Sequence, residues 1–237
     1  MNKLYQKSEI LFAIAWIIAY VIGSSITGEI HHTVLLAFHL LLCATALIWM
    51  KRNGFFRSYG LCAPAFPARK FLWYIPLVIT VSSNLWLGTA HNMPPFETVS
   101  YILSMLCVGF LEEIIFRGFF FKAMCKDCSI KTAVIVSSVT FGIGHIINLF
   151  NGSGADIVSN LCQIVSAMAF GFLFVIIFLR GQTLLPCIAT HSLLNAVSAF
   201  SNDAAMTAGL TILTSLILTF IALGYAAILL KTLPSDK

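Results

Sequence analysis

The chain has 237 residues, of which 59% are hydrophobic and only 10% charged, and its mean hydropathy is +0.94. A soluble domain carries about 25% charged residues, so this chain lacks the polar side chains needed to cover a water-facing surface. The same figures exclude a disordered chain, a collagen and a small disulfide-rich scaffold, and leave an integral membrane protein.

Runs of about 20 apolar residues can cross a hydrocarbon core of ~30 Å. Eight such runs are found, at 10–28, 33–50, 71–90, 98–122, 131–150, 157–179, 183–200 and 206–230. Lipid offers no partners for open backbone groups, so the expected fold is all-α. It is a polytopic bundle of about eight transmembrane helices, one integral membrane domain over 1–237. The first run follows Lys3 and Lys7 as a signal peptide would, but its length and the seven later runs predict a retained helix.

The basic residues sort with the predicted loops. Lys3 and Lys7 precede the first run, and Lys51, Arg52, Arg57, Arg69 and Lys70 lie between the second and third. Lys122, Lys126 and Lys131 flank the loop after the fourth, Arg180 follows the sixth, and Lys231 and Lys237 follow the eighth. The opposite loops hold Glu29, Glu97, Asp156 and Asp203. Positive charge gathers on the cytoplasmic side, which predicts cytoplasmic termini and makes the net charge of +5 a topology signal. No basic stripe with interleaved aromatics points to nucleic acid. All seven cysteines fall in spans or cytoplasmic segments, and Cys125 and Cys128 are expected as reduced loop thiols. Asn151 to Ala155 reads as a turn.

Three spans carry polar groups that lipid penalises by about 2.5–3.5 kcal/mol per charge. The fourth holds Glu112, Glu113 and Arg117, the fifth His145, and the seventh His191 and Asn195. Glu113 and Arg117 are four apart on one helix face, acid first, which predicts an ion pair. Glu112 is turned by ~100° from Glu113 and is predicted to be the free carboxylate. His191 and Asn195, also four apart, share a face. Counting inward from the loops puts Glu112 and His191 at ~15 Å and His145 at ~21 Å depth, close enough to meet in one intramembrane polar cavity.

A carboxylate with two imidazoles suits the chemistry of water. Glu112 is a candidate general base assisted by His145, and His191 and Asn195 are candidate donors to the oxyanion of a tetrahedral intermediate. Glu112, His145 and His191 equally suit a divalent metal such as zinc with an open position, and spacing alone does not separate the two schemes. His31, His32 and His91 are expected in outer loops, and His39 as a helix-to-helix hydrogen bonder. No GxSxG elbow, Ser-x-x-Lys or H-E-x-x-H is present.

Glu112-Glu113-x-x-x-Arg117, Phe141-x-x-x-His145 and His191-x-x-x-Asn195, in this order within residues 100–200, resemble the three motifs of the CPBP (Abi) intramembrane protease family. That family includes the type II CAAX prenyl endopeptidases and bacteriocin-immunity proteins. Tyr59-Gly60-Leu61 resembles a further common feature of it. The resemblance implies an intramembrane (metallo)endopeptidase with Glu112 and His145 on water and His191 and Asn195 on the oxyanion, Glu113 pairing with Arg117. It implies a membrane-associated peptide or protein tail as substrate and, for so short a chain, a bacterial cytoplasmic membrane. A non-catalytic scaffold or immunity protein of the same fold is the alternative. A proton-coupled transporter finds no inverted repeat to support it.

Overall fold

The computed structural model describes residues 1–150 and 156–234, so the predicted turn at 151–155 and Lys237 lie outside the described residues. In chain order the helices are α1 (Asn2–Lys7), α2 (Glu9–Ile30), α3 (His32–Arg52), α4 (Ile75–Ser82), α5 (Pro95–Glu113), α6 (Lys122–Asp127), α7 (Ile130–Gly144), α8 (Ile157–Gly181), α9 (Leu185–Val197) and α10 (Ala208–Thr232). Between α5 and α6 the chain stays helical as a π-helix, Ile114–Phe121. Among the described residues the only β pairing is an isolated bridge, Thr89 to Ser201.

Among the described residues, six helices are long and apolar enough to cross a membrane: Glu9–Ile30, His32–Arg52, Pro95–Asp127, Ile130–Leu149, Ile157–Gly181 and Ala208–Thr232. These match six of the eight predicted runs, and the chain is an all-helical, multi-pass membrane protein. The faces of α2 carry the signature of a lipid solvent. Ile14, Ile18, Ile22, Ile26 and Ile30, one every fourth residue, are exposed, while Tyr20 and the aromatic Phe12 and Trp16 point inward. This stripe would be buried in a water-soluble helix; in lipid it is the outer surface. In the apolar stretch of α8, 56% of positions are buried, against 22% in α2, α3 and α10, which makes α8 central and the other three peripheral.

The remaining two runs form shorter helices. The run at 71–90 contains only the eight-residue α4, preceded by a 3-10 segment (Ala68–Tyr74) and followed by another (Ser83–Leu85). Pro76 explains the break. Its ring is tolerated in the first turn of a helix but not further in, so α4 begins just before it. Leu72, Trp73 and Tyr74 turn left-handed (φ 50, 54 and 58°) to bring the chain into that start. Hydropathy counts Pro76 as one more residue in an apolar run and does not register the break. The run at 183–200 forms α9, with Pro186 in its first turn, and a final 3-10 turn, Ser198–Phe200.

These two short segments lie side by side, with α9 fastened at its start to the loop before residue 68 and at its far end to the close of the 71–90 run. At the start of α9, the Leu184 N–H donates to the Gly60 carbonyl (2.8 Å) and the Thr183 hydroxyl to the Cys62 carbonyl (2.7 Å). At its far end, Ala90 N–H donates to Phe200 O (3.0 Å) and the Asn202 side chain to Leu87 O (3.1 Å). Gly60 adopts φ +75°, and a Cβ there would press on Phe178 and the Leu184 backbone, so only glycine fits this junction.

Three helices carry the polar groups, and small residues let them approach. The α9 helix docks on α5 where a Cβ at Gly109 would strike the backbone nitrogen and hydroxyl of Ser192. The Ser192 hydroxyl also donates to Leu106 O (2.9 Å). The Ser137 hydroxyl of α7 donates to Phe116 O (3.2 Å) in the π-helix. Outside the membrane-spanning segments, Asp156 caps α8 by accepting from the Val158 and Ser159 N–H groups and the Ser159 hydroxyl, and these bonds hold its carboxyl below the usual range.

Gly109 and Gly224 form a test of this docking. Gly109→Ala has to push α9 off α5 and is expected to lower stability by about 1–3 kcal/mol. Gly224→Ala meets nothing within 4 Å and is expected to be neutral or slightly stabilising. Thermal unfolding of the two variants in the same detergent checks the contrast; equal midpoints would refute the close approach.

Candidate active site

The site begins with a buried acid. Glu113 closes α5 with 0% side-chain exposure, and Arg117, also at 0%, is one turn further into the π-helix. Arg117 Nη1 stands 3.1 Å from Glu113 Oε1. π-helical turns are rare and concentrate at functional positions. Here the wider turn reduces the angular overshoot between residues four apart and lets the two charges face each other. The guanidinium is further held by aromatic faces, with Cζ 3.9 Å from the Phe141 ring centre and 5.6 Å from that of Phe174.

Glu113 is more than half of an ion pair. Its Oε1 also lies 2.8 Å from His191 Nδ1 on α9. With Nδ1–H donating to that carboxylate, Nε2 is the ring nitrogen turned toward the rest of the site, an acceptor when neutral and a donor when protonated. It faces Glu112 Oε2 at 3.6 Å, too long for a direct hydrogen bond and short enough for one water to touch both.

Glu112 has a different environment. It is not fully enclosed, and its Oε1 accepts from the Tyr20 hydroxyl of α2 at 2.7 Å. Its Oε2 is buried without a hydrogen-bond partner among the described residues, as is Glu113 Oε2. A buried unpaired carboxylate oxygen costs free energy, so a donor is expected to occupy it in the working protein.

His145 stands at the junction between α7 and a 3-10 turn, His145–Leu149. The Asn160 side chain of α8 donates to its backbone carbonyl (2.8 Å) and fixes that junction. Its ring packs edge-on to Phe141 (5.3 Å between centres), whose opposite contact is the His191 ring (5.9 Å). His145 is also within electrostatic reach of Glu112, His191 and Arg117. Asn195 sits one turn beyond His191, half-buried, with its carbonyl accepting from the Ser198 hydroxyl (2.6 Å).

The structure thus brings Glu112, Glu113, Arg117 and His191 into one cluster, sets His145 beside it across Phe141, and leaves Asn195 a turn away. Among the described residues no three His, Cys, Asp or Glu side chains stand close enough to hold a metal ion. Glu112, His145 and His191 are therefore not drawn together as a metal cradle in this arrangement, and the chemistry below is written with the chain's own residues. His39 bonds Ser24 of α2 (3.0 Å) and Ser104 of α5 (2.8 Å), and so links three helices.

Three features escape a reading of spacing alone. Tyr20 is separated from Glu112 by 92 residues, and no local pattern connects them. The contact of Glu113 with His191 needs the relative rotation of α5 and α9. Phe141 occupies a motif position, but its role as the platform for Arg117 appears only once the helices are packed.

Residues 94–197 match the family described as "Type II CAAX prenyl endopeptidase Rce1-like". The match bears out the motif resemblance and is consistent with the CPBP family. It runs from the start of α5 to the end of α9 and contains Glu112, Glu113, Arg117, His145, His191 and Asn195. No curated protein and no solved structure gives a significant match.

Removing one member of the buried pair strands the other charge in a dry core. Arg117→Met is expected to cost about 3–5 kcal/mol, and adding Glu113→Gln to recover a large part of it. Thermal unfolding of single and double variants checks this coupling; simple additivity would count against it.

Proposed function

We propose that this chain is an intramembrane endopeptidase that hydrolyses a peptide bond of a membrane-associated tail, with water activated by Glu112 and His145. The family match over residues 94–197 supports a CAAX-type protease of the membrane. The observation that carries the mechanism is the asymmetry of Glu112, one oxygen bonded to Tyr20 and the other without a donor opposite His191 Nε2.

In this scheme a water lies between Glu112 Oε2 and the His145–His191 side of the cavity. Glu112 takes its proton as the oxygen attacks the substrate carbonyl. The resulting oxyanion accepts from the Asn195 amide and from His191 Nε2–H of the doubly protonated ring, whose Nδ1–H donates to Glu113. Collapse expels the amine, which receives the proton held by Glu112. Arg117 neutralises Glu113 and keeps that carboxylate from competing for the water. Placing Glu112 within a lipid-surrounded bundle suits a substrate that is itself anchored to the bilayer, such as a prenylated C-terminal tail.

The whole of 1–237 forms the membrane unit in this reading. The packing of α4 against α9 and the bonds between their far ends support their crossing together, giving eight crossings with both termini cytoplasmic. The basic loops fit the inner face of a membrane such as the bacterial cytoplasmic membrane. Lipid and a peptide substrate are the partners, and nucleic acid is none.

Glu112→Gln is expected to reduce cleavage by at least roughly a hundredfold while the unfolding midpoint stays put. New peptide termini in membranes holding the wild type or this variant provide the measurement. Identical termini from both would overturn the peptidase reading in favour of a scaffold or immunity role.

A further inference from the structure

The described contacts of Glu112 include one from a helix that no motif and no family match touches. Tyr20 lies on α2, well before residue 94, and its hydroxyl donates to Glu112 Oε1 at 2.7 Å. A short hydrogen bond to a carboxylate is among the stronger neutral-to-charged contacts, and it leaves that oxygen a single remaining direction of use. It also fixes the torsion of the carboxyl group, since with Oε1 held toward α2, Oε2 can only point back toward α9 and His191 Nε2.

The tyrosine is itself held. The residue is only 8% exposed, and its ring lies 5.9 Å from the His39 ring at 31°. His39 is bonded through Nε2 to Ser24, one turn along from Tyr20 on α2, and through Nδ1 to Ser104, two turns before Glu112 on α5. The hydroxyl therefore arrives at Glu112 from a frame anchored on α2, α3 and α5 rather than from a free rotor. The aromatic contacts of Phe12 and Trp16 with Phe119 (5.2 and 5.7 Å) fasten the same helix to the π-helical turn.

We propose that Tyr20 is a positioning residue of the catalytic centre, orienting the Glu112 carboxylate so that one oxygen is engaged and the other is presented to water, with His39 fixing the tyrosine. This rests on the reading of Glu112 as the general base. It assigns α2, outside the matched segment, a part in the reaction. A tyrosine that only pinned α2 to the bundle would contribute to stability and not to turnover.

Two measurements on the full chain in lipid nanodiscs separate these roles. The first needs no substrate: labelling of buried carboxyls by dicyclohexylcarbodiimide, followed by peptide mass spectrometry. Tyr20→Phe retains the ring and removes the donor, and is expected to raise Glu112 labelling by about threefold or more while Glu113 labelling is unchanged. Unchanged Glu112 labelling would overturn the proposal.

The second uses a fluorogenic farnesylated CAAX peptide. Tyr20→Phe is expected to lower kcat by roughly ten- to a hundredfold with KM kept within about twofold, and 4-aminophenylalanine in place of Tyr20 to restore kcat. An unaltered kcat, or a loss that follows the unfolding midpoint and resists the amino analogue, would overturn it. A wild type that leaves the peptide and all membrane proteins uncut would overturn the peptidase reading instead, and the labelling result would still decide whether Tyr20 orients Glu112.

Discussion

The charged cluster inside this membrane bundle is arranged around one fully buried carboxylate, Glu113. A lone charge in such a place is prohibitive, so Glu113 requires a cation, and Arg117 supplies it from one turn away. Arg117 in turn needs a surface that tolerates a guanidinium without water, and Phe141 and Phe174 provide it from α7 and α8. The second demand of Glu113, a donor, is met by His191 from α9. One acid thereby gathers α5, α7, α8 and α9, and the π-helical turn makes the geometry attainable. Such a core is a means of specifying packing more than of adding stability, because each charge gives back in desolvation much of what it gains in attraction.

The neighbouring Glu112 is treated differently by the same fold. Both glutamates stand in sequence side by side and each keeps one oxygen without a donor among the described residues, yet one is fully enclosed and paired with a cation while the other is bonded to a neutral hydroxyl. Two adjacent residues on a helix point about 100° apart, and that angle is enough to divide the labour. The cation serves Glu113 and leaves Glu112 without a permanent counterion.

How much of this was legible depends on whether the controlling contact is local. The membrane class and six of the spans follow from composition and run length, since lipid imposes those on any chain. The Glu113–Arg117 pairing follows from four-residue spacing, and the ordered motifs point to the family. The run at 71–90 misleads because Pro76 and the left-handed turn before it act through backbone geometry, to which hydropathy is blind. Tyr20, the second bond of Glu113 and the platform role of Phe141 are set by how separate helices rotate against one another. Nothing within a window of sequence encodes that rotation except small residues such as Gly109, whose partner Ser192 is known only from the fold.

The side-by-side placement of α4 and α9 bears on the lipid as well as on the protein. At 1.5 Å per residue the thirteen residues of α9 measure ~20 Å and the eight of α4 ~12 Å, both short of a hydrocarbon core of ~30 Å. Val78, Ile79, Leu185 and Leu193 are exposed on these helices, an apolar face suited to acyl chains if the two cross together as proposed. A bilayer bordering such short walls adjusts by thinning on that flank. Such thinning brings the headgroup region toward the depth of His191, so that for the proposed peptidase a tail anchored in the bilayer would meet a shorter dry path along this side.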